Sequence, residues 1–131
     1  MDKTIDAMRW IFASFYAYVG ASWFSFKLLG TPWPEHNEAA AAKALTTAFT
    51  NSGIVDPLIY AASLAGGLCL FLRRTAPLAI VILAPLVTGI FLFHVALNQS
   101  WMWGTVHFCF LAVLAWAFRS AFLPLWSYGK K

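Results

Sequence analysis

The chain has 131 residues, of which 61% are hydrophobic, 18% aromatic and 11% charged, and its mean hydropathy is +0.71. Because a soluble domain carries about a quarter charged residues, this composition excludes an ordinary water-soluble globule and indicates a chain that lies in a lipid bilayer. The net charge of +4 comes from basic residues that flank apolar runs without forming a continuous stripe, so we expect no nucleic-acid partner.

Four apolar runs follow one another along the chain, at residues 10–29, 54–72, 76–97 and 103–122. Each has close to the roughly 20 residues that a helix needs to cross about 30 Å of hydrocarbon. Helices are required there because lipid offers backbone amides and carbonyls no hydrogen-bond partners. The sequence therefore predicts an all-α integral membrane four-helix bundle, with residues 1–131 in a single domain.

The segment between the first two runs, residues 35–50, predicts a short helix outside the spans. Pro34 suits its first turn, and Glu35 and Glu38 lie near the positive end of the helix dipole. Its apolar side is narrow, so this helix would either lie on the membrane surface or cap the bundle.

Two later helices have local start signals. Asp56, followed by Pro57, predicts the N-cap of the second span. Thr75 or Ala76, followed by Pro77, predicts the start of the third span in the same way.

Small residues recur at every fourth position in the first two spans, which predicts faces where helices pack closely. These residues are Ala13, Ala17, Ala21 and Ser25 in the first span and Ala61, Ala65 and Cys69, beside Ala62 and Gly66, in the second. Cys69 and Cys109 lie toward opposite ends of different spans, farther apart than the roughly 7 Å between Cα atoms that a disulfide allows. We expect both thiols to be free and buried.

The distribution of basic residues predicts the orientation, because cytoplasmic loops carry more Lys and Arg. The basic residues on one side of the spans are Lys3, Arg9, Arg73, Arg74, Arg119, Lys130 and Lys131, and those on the other side are Lys27 and Lys43. We therefore expect both termini and the turn at residues 73–75 to be cytoplasmic. The short helix at residues 35–50 would be extracytoplasmic.

Few ionisable side chains lie inside the spans, so each is a candidate functional group. We expect Lys27, Asp56, His94 and His107 to share one layer near the outer helix ends, since each histidine lies about 4–7 Å inside its helix end. Lys27 would pair with Asp56, unless Lys27 extends to the headgroups and Asp56 only caps its helix. His94 would hydrogen-bond Asn98 one turn later. These five residues are the candidate ligand-binding site, and purely structural roles for both histidines are the competing interpretation.

No motif for catalysis is present in the sequence. A phosphate-binding loop, a glycine fingerprint for nucleotides, HExxH, CxxC and a serine nucleophile elbow are all lacking. Two histidines without a fixed spacing are weak evidence for a metal or a haem, so we assign no metal ligand, no haem and no catalytic residue.

Three stretches occur in a recognisable order: GASWFSFKLLG, AGGLCLFLRRTAPLAIVILAPLVTGIFLFHVALN and AWAFRSAFLPL. From about Trp10 to Leu125 the chain thereby resembles the DoxX-like family of small four-helix membrane proteins. The resemblance implies a bacterial cytoplasmic membrane protein, and the family includes subunits of quinone-linked redox complexes. It singles out Lys27 and His94. In one pattern common in this family, an acidic residue lies about one turn before the glycines of the second span. Residues 61–63 of this chain are Ala-Ala-Ser, without a carboxylate, which argues against a proton-handling role at that position.

Two functions are compatible with these features. The first is a non-catalytic accessory membrane protein whose outer polar layer binds a small amphiphile or docks a partner protein. The second is a quinone-reactive subunit of an oxidoreductase complex, in which His94 or Lys27 would hydrogen-bond a quinone carbonyl. A partner protein would then carry the redox centre. Formation of a homo-oligomer is left open.

Overall fold

The structure, a computed structural model, describes residues 2–32, 34 and 38–127. It is 85% helical, with no strand among these residues. The helices of the described ranges are α1 (Lys3–Leu29), α2 (Ala40–Ser52), α3 (Val55–Phe71), α4 (Ala76–Leu92), α5 (Trp101–Ala117) and α6 (Leu123–Ser127). A π-helical turn, Phe93–Leu97, continues α4, and a 3₁₀ turn, Arg119–Ala121, follows α5. The predicted all-α class is confirmed.

One continuous helix is long and apolar enough to cross a membrane, and this helix, Ala76–Leu97, matches the predicted third span. Two bent pairs pass the same test only if each pair counts as one broken span: α2 with α3, at 93°, and α5 with Arg119–Leu125, at 64°. The first helix is long enough, with 27 residues, but its tyrosine, tryptophan and serine residues lower its hydropathy. The described residues therefore contain at least one candidate transmembrane helix.

The longest helix contact is the α1–α3 interface, where two glycines let the backbones approach closely. A Cβ atom on Gly20 would lie 2.6 Å from the backbone nitrogen of Leu64, and one on Gly67 would clash with the backbone of Ala17. Any larger residue at these positions would push the two helices apart.

The predicted packing faces are only partly correct. Ala13 is buried and Ala17 is partly buried, as expected, whereas Ala21 and Ser25 are exposed. In α3 Gly66 is buried, as predicted, and Ala62 and Cys69 are partly buried, whereas the predicted alanines at 61 and 65 are exposed. The other buried residues of α3 are Ser63, Gly67 and Leu70. Small residues are also compatible with an outward-facing helix surface, so their spacing alone does not fix the rotation of a helix about its axis.

The remaining contacts complete a bundle in which α3 packs on α4, α4 packs on α5, and α1 meets α5 along a shorter stretch. Its core contains apolar side chains from all four helices. Those buried in it are Phe12, Ala13, Tyr16, Leu70, Ala76, Ala79, Ile80, Leu83, Val87, Leu111 and Leu114.

Arg9 is buried, with 4% of its surface exposed, although its position suggested a residue that flanks the first span. Its guanidinium donates to the carbonyl oxygens of Leu70, at 2.7 Å, and Phe71. It also lies 3.4 Å from the Asp6 carboxylate, which Arg73 approaches at the same distance. Arg9 thus satisfies carbonyls at the end of α3 that would otherwise lack partners. We call this end of the bundle the Arg9 end and the opposite end, which holds the π-helical turn, the His94 end.

Several helix boundaries differ from the predictions. The first helix begins at Lys3, where the Asp2 side chain accepts a hydrogen bond from the Thr4 amide. The second begins at Ala40, later than predicted, and residues 35–37 of that prediction lie outside the described residues.

Asp56 is not the N-cap of α3, as we had expected, because it lies in the first turn of that helix. The hydroxyl of Ser52 instead accepts hydrogen bonds from the amides of Ile54 and Val55. Thr75 does precede α4, as predicted. Both cysteines are free, as expected, but Cys109 is exposed on the outside of the bundle and not buried.

Candidate ligand-binding site

A buried pair of polar side chains joins α1 to α5 in the interior of the bundle. The Nδ1 atom of His107 lies 2.9 Å from the hydroxyl oxygen of Tyr16, within hydrogen-bond distance. His107 is 5% exposed and Tyr16 is 1% exposed. Both partners of this hydrogen bond are therefore buried within the bundle.

Aromatic rings surround the imidazole of His107. The ring centres of Trp103, Phe15 and Phe12 lie 4.8, 4.9 and 5.9 Å from the imidazole centre. Phe12, Phe15 and Tyr16 lie on the same face of α1, because residues three and four positions apart share one face of a helix. The sequence thus places several rings and one hydroxyl against a single turn of α5.

A cavity of about 140 Å³ lies beside this imidazole, between α1 and α5. Its lining residues are Ile11, Phe12, Phe15, Trp103, Val106, His107 and Phe110. Ile11, Trp103 and Val106 are exposed, at 61%, 51% and 44%, so the cavity opens on the side of the bundle. We call it the His107 cavity.

Two of these lining residues carry side-chain nitrogen atoms that could face the cavity, His107 with Nε2 and Trp103 with its indole Nε1. Tyr16 occupies Nδ1, and no hydrogen bond to Nε2 is formed by the residues that the structure describes. An apolar cavity with one free imidazole nitrogen can hold a small apolar molecule and orient it by one hydrogen bond.

The other predicted site residues lie at the His94 end, where they hydrogen-bond to one another. His94 Nδ1 is 2.9 Å from the Ser100 hydroxyl oxygen. The side-chain nitrogen Nδ2 of Asn98 donates to the same oxygen at 3.5 Å. The Asn98 side-chain oxygen accepts a hydrogen bond of 2.9 Å from the backbone amide of Ala39, just before α2. These bonds fasten the start of α2 to the connection between α4 and α5.

The predicted hydrogen bond from His94 to Asn98 does not form. In the π-helical turn each backbone hydrogen bond spans five residues and not four. The backbone N–H of Asn98 therefore donates to the carbonyl oxygen of Phe93. Side chains four residues apart are then no longer in register. His94 and Asn98 meet instead through Ser100.

The predicted ion pair between Lys27 and Asp56 also does not form. Asp56 accepts a hydrogen bond of 2.8 Å from the Thr50 hydroxyl in α2. The Lys27 ammonium lies 5.4 Å from the centre of the Trp23 ring, which stacks on Tyr60 at 4.9 Å. A cation over an aromatic face gains electrostatic stabilisation without a carboxylate.

The expected single layer of polar groups is divided in the structure. A Cβ atom on Gly104 would lie 3.0 Å from the Cβ of His94, so His94 is level with Gly104. His107 lies three residues further along α5, about 4.5 Å deeper in the bundle. Lys27, Asp56, His94 and Asn98 thus remain at the His94 end, and His107 belongs to a separate, buried site.

Tyr16 is the functional candidate that the sequence analysis did not single out. Tyrosine was counted with the apolar residues of the first span, although its hydroxyl needs a hydrogen-bond partner when buried. The need of a buried tyrosine hydroxyl for a hydrogen-bond partner is the signal by which the sequence could have indicated Tyr16. Its partner, 91 residues away in the chain, had no local signature.

A larger depression of about 240 Å³ lies on the surface of α1 alone, lined by Ala21, Ser22, Ser25, Phe26 and Leu29. The Ser25 hydroxyl donates to the Ala21 carbonyl. A shallow groove on one helix lacks the walls from facing elements that enclose a ligand. We therefore assign no ligand site there.

Comparison of the chain with family models, curated proteins and solved structures gave no match. The DoxX-like resemblance accordingly stays a prediction.

Proposed function

We propose that this chain is a multi-pass, DoxX-like membrane protein that binds a small amphiphile in the His107 cavity. The single observation behind this function is that a buried imidazole, whose Nδ1 is bonded to Tyr16, lines a largely apolar cavity that opens sideways. A ligand dissolved among lipid tails would enter there without crossing water. The proposal places the amphiphile beside His107 and not at the His94 end. There His94 and Asn98 already form hydrogen bonds with Ser100 and Ala39 of the same chain.

Helix length supports four spans. The helices α3 and α5 each have 17 residues, a length of about 26 Å, which lies at the lower end of what crosses a bilayer. The first helix, with 27 residues, is about 40 Å long. Both α3 and α5 pack beside α4, the strongest candidate span.

The outer surface of the bundle also supports this arrangement, because large apolar side chains face outward on every long helix. Examples are Tyr18 at 73%, Leu68 at 55%, Val81 at 55% and Trp116 at 71% exposure. Apolar patches of this extent on a monomer are unfavourable in water and indicate contact with a membrane or another protein.

Cysteine labelling tests the proposed topology, with both termini on the cytoplasmic side of a bacterial inner membrane. Cysteine would be introduced as Lys43→Cys in α2 or Arg74→Cys at the Arg9 end, in a background with both native cysteines replaced by serine. We expect an impermeant maleimide to label position 43 in intact cells and position 74 only after permeabilisation. Labelling of both positions in intact cells would contradict the topology.

Ligand titration tests the binding function itself. Protein in lipid nanodiscs would be titrated with a panel of small aromatic amphiphiles while its melting temperature is recorded. We expect at least one compound to raise the melting temperature of the wild-type protein, and His107→Leu to remove the effect. His94→Leu is the matched control and should keep it. A panel without any effect on the wild type would contradict the proposal.

A quinone-reactive subunit is the second candidate function, favoured by the rings of the cavity. Four aromatic side chains, Phe12, Phe15, Trp103 and Phe110, line the cavity, and a flat ring can pack against their surfaces. His107 would then take the role that the sequence suggested for His94 or Lys27, and a partner membrane protein would supply the electrons. A thermal shift with a short-chain quinone and none with size-matched alkylbenzenes would favour this candidate.

A further inference from the structure

We infer that the His107 cavity selects neutral molecules that offer a hydrogen-bond acceptor, such as ketones, over matched alcohols and over carboxylates. This inference rests on the proposed ligand-binding function and adds the chemical class of the ligand. It follows from the direction of one buried hydrogen bond.

The direction of the bond between Tyr16 and His107 is set by the tyrosine proton. Tyr16 is 1% exposed, and the imidazole is its hydrogen-bond partner among the described residues. If Nδ1 carried the proton, the buried Tyr16 hydroxyl would accept that bond and have no acceptor for its own proton. An unmade hydrogen bond in an apolar interior is unfavourable. The arrangement that satisfies both groups has Tyr16 donating to an unprotonated Nδ1.

A neutral imidazole carries one proton, so an unprotonated Nδ1 places it on Nε2. No acidic side chain of the described ranges forms an ion pair with His107, and a charged ring would lie among apolar groups. His107, which lines the cavity, therefore carries its N–H donor on Nε2.

A cavity whose lining side chains offer N–H donors, from His107 and Trp103, and no acceptor discriminates between ligands. A ketone oxygen accepts from Nε2–H and leaves no polar atom unpaired. An alcohol oxygen accepts the same bond, but its own proton then finds no partner in the apolar lining. A carboxylate would bring an unpaired charge into the same surroundings, which is more unfavourable still.

The decisive experiment compares acetophenone, 1-phenylethanol and benzoate, which share one ring. Their affinities for the full-length protein in nanodiscs would be measured by ligand-observed NMR, with correction for partition into protein-free nanodiscs. We expect acetophenone to bind about tenfold more tightly than 1-phenylethanol, the factor that one unpaired hydroxyl costs, and benzoate to show no binding.

Two tyrosine variants connect this preference to its cause. In Tyr16→Phe the proton of His107 is no longer held on Nε2, and we expect the preference for the ketone to fall to about twofold or less. Tyr18→Phe is the matched control in the same helix, because Tyr18 is 73% exposed, and it should keep the wild-type preference.

The protonated nitrogen can also be observed without any ligand. Nitrogen-15 NMR of labelled histidine distinguishes the two neutral forms, and we expect the Nε2–H form for His107 in the wild-type protein. The Nδ1–H form, or equal binding of ketone and alcohol, would overturn the inference while amphiphile binding stands. Binding of neither compound, together with no thermal shift from the wider amphiphile panel, would remove the proposed function and the inference together.

Discussion

The first helix has two very different neighbours. Along α3 it is held by direct backbone contact at Gly20 and Gly67 and by the guanidinium of Arg9. Along α5 the contact is shorter. Aromatic side chains lie between the two helices there, and the hydrogen bond between Tyr16 and His107 joins them.

The difference explains why the proposed ligand site lies between α1 and α5. Backbones in contact leave no space between them, so the α1–α3 interface contributes stability and no cavity. Rings that hold two helices apart do not fill the whole space, and the His107 cavity lies where they leave a gap. The same helix therefore has one closely packed face and one face that borders the proposed binding cavity. Measured stabilities of variants on the two faces test this division.

The largest effect is expected at the Arg9 end of the α1–α3 interface. Arg9→Met keeps the apolar stem but removes the charged donor to the carbonyls of Leu70 and Phe71. We expect a loss of about 3 kcal/mol in unfolding free energy, the upper range for hydrogen bonds to a charged group. Denaturant unfolding in detergent micelles measures it. Arg74→Met, at an exposed position, is the control and should change stability little.

A smaller loss is expected from a single methyl group at the same interface. Gly67→Ala places a Cβ against the backbone of α1 and should cost about 2 kcal/mol through overpacking. Gly89→Ala is the matched control, because a Cβ there meets no atom within 4 Å. The control should gain up to about 1 kcal/mol from better helix propensity. Equal effects at the two glycines would contradict the close α1–α3 contact.

At the α1–α5 interface the effect of a lost hydrogen bond should be weaker. Tyr16→Phe removes the hydroxyl and leaves Nδ1 of His107 without its partner, at a cost of about 1 kcal/mol for a neutral pair. The same micelle unfolding measurement applies, with Tyr18→Phe as the unchanged reference. If the two phenylalanine variants were equally stable, the pair would contribute nothing to holding α1 against α5.

The smallest effect is expected at the His94 end. Ser100→Ala removes the oxygen shared by His94 and Asn98, and the bond is exposed, so we expect a loss of about 0.5 kcal/mol. Ser14→Ala, at an exposed position of α1, is the reference. A loss as large as that of Tyr16→Phe would contradict this ranking, because the exposed cluster would then contribute as much as the buried bond between α1 and α5.

The position and length of α4 could be predicted from the sequence because they follow from its continuous hydrophobicity. The run 76–97 is apolar throughout, with start signals at Thr75 and Pro77, and the structure has a continuous helix over Ala76–Leu97. The first helix was predicted to begin too late, because hydropathy detects the apolar part of a helix only. The N-cap at Asp2 begins it two turns earlier.

The site was less predictable, because it depends on how helices rotate about their axes. Counting charges assigned Arg9 to one side of the membrane but carries no information on depth, and the structure buries it. The partner of His107 depends on which face of α1 turns toward α5. That rotation is set in part by Gly67 in a different helix, and no local pattern around residue 107 records it.

The sideways opening of the His107 cavity, bordered by Ile11, Trp103 and Val106, has a consequence for any measurement of affinity. If this flank of the bundle lies among acyl chains, as proposed, then the reservoir for the ligand is the bilayer. Occupancy will follow the ratio of ligand to phospholipid and not the total concentration in the buffer. Doubling the amount of vesicles at constant ligand should then halve the occupancy of a poorly occupied site.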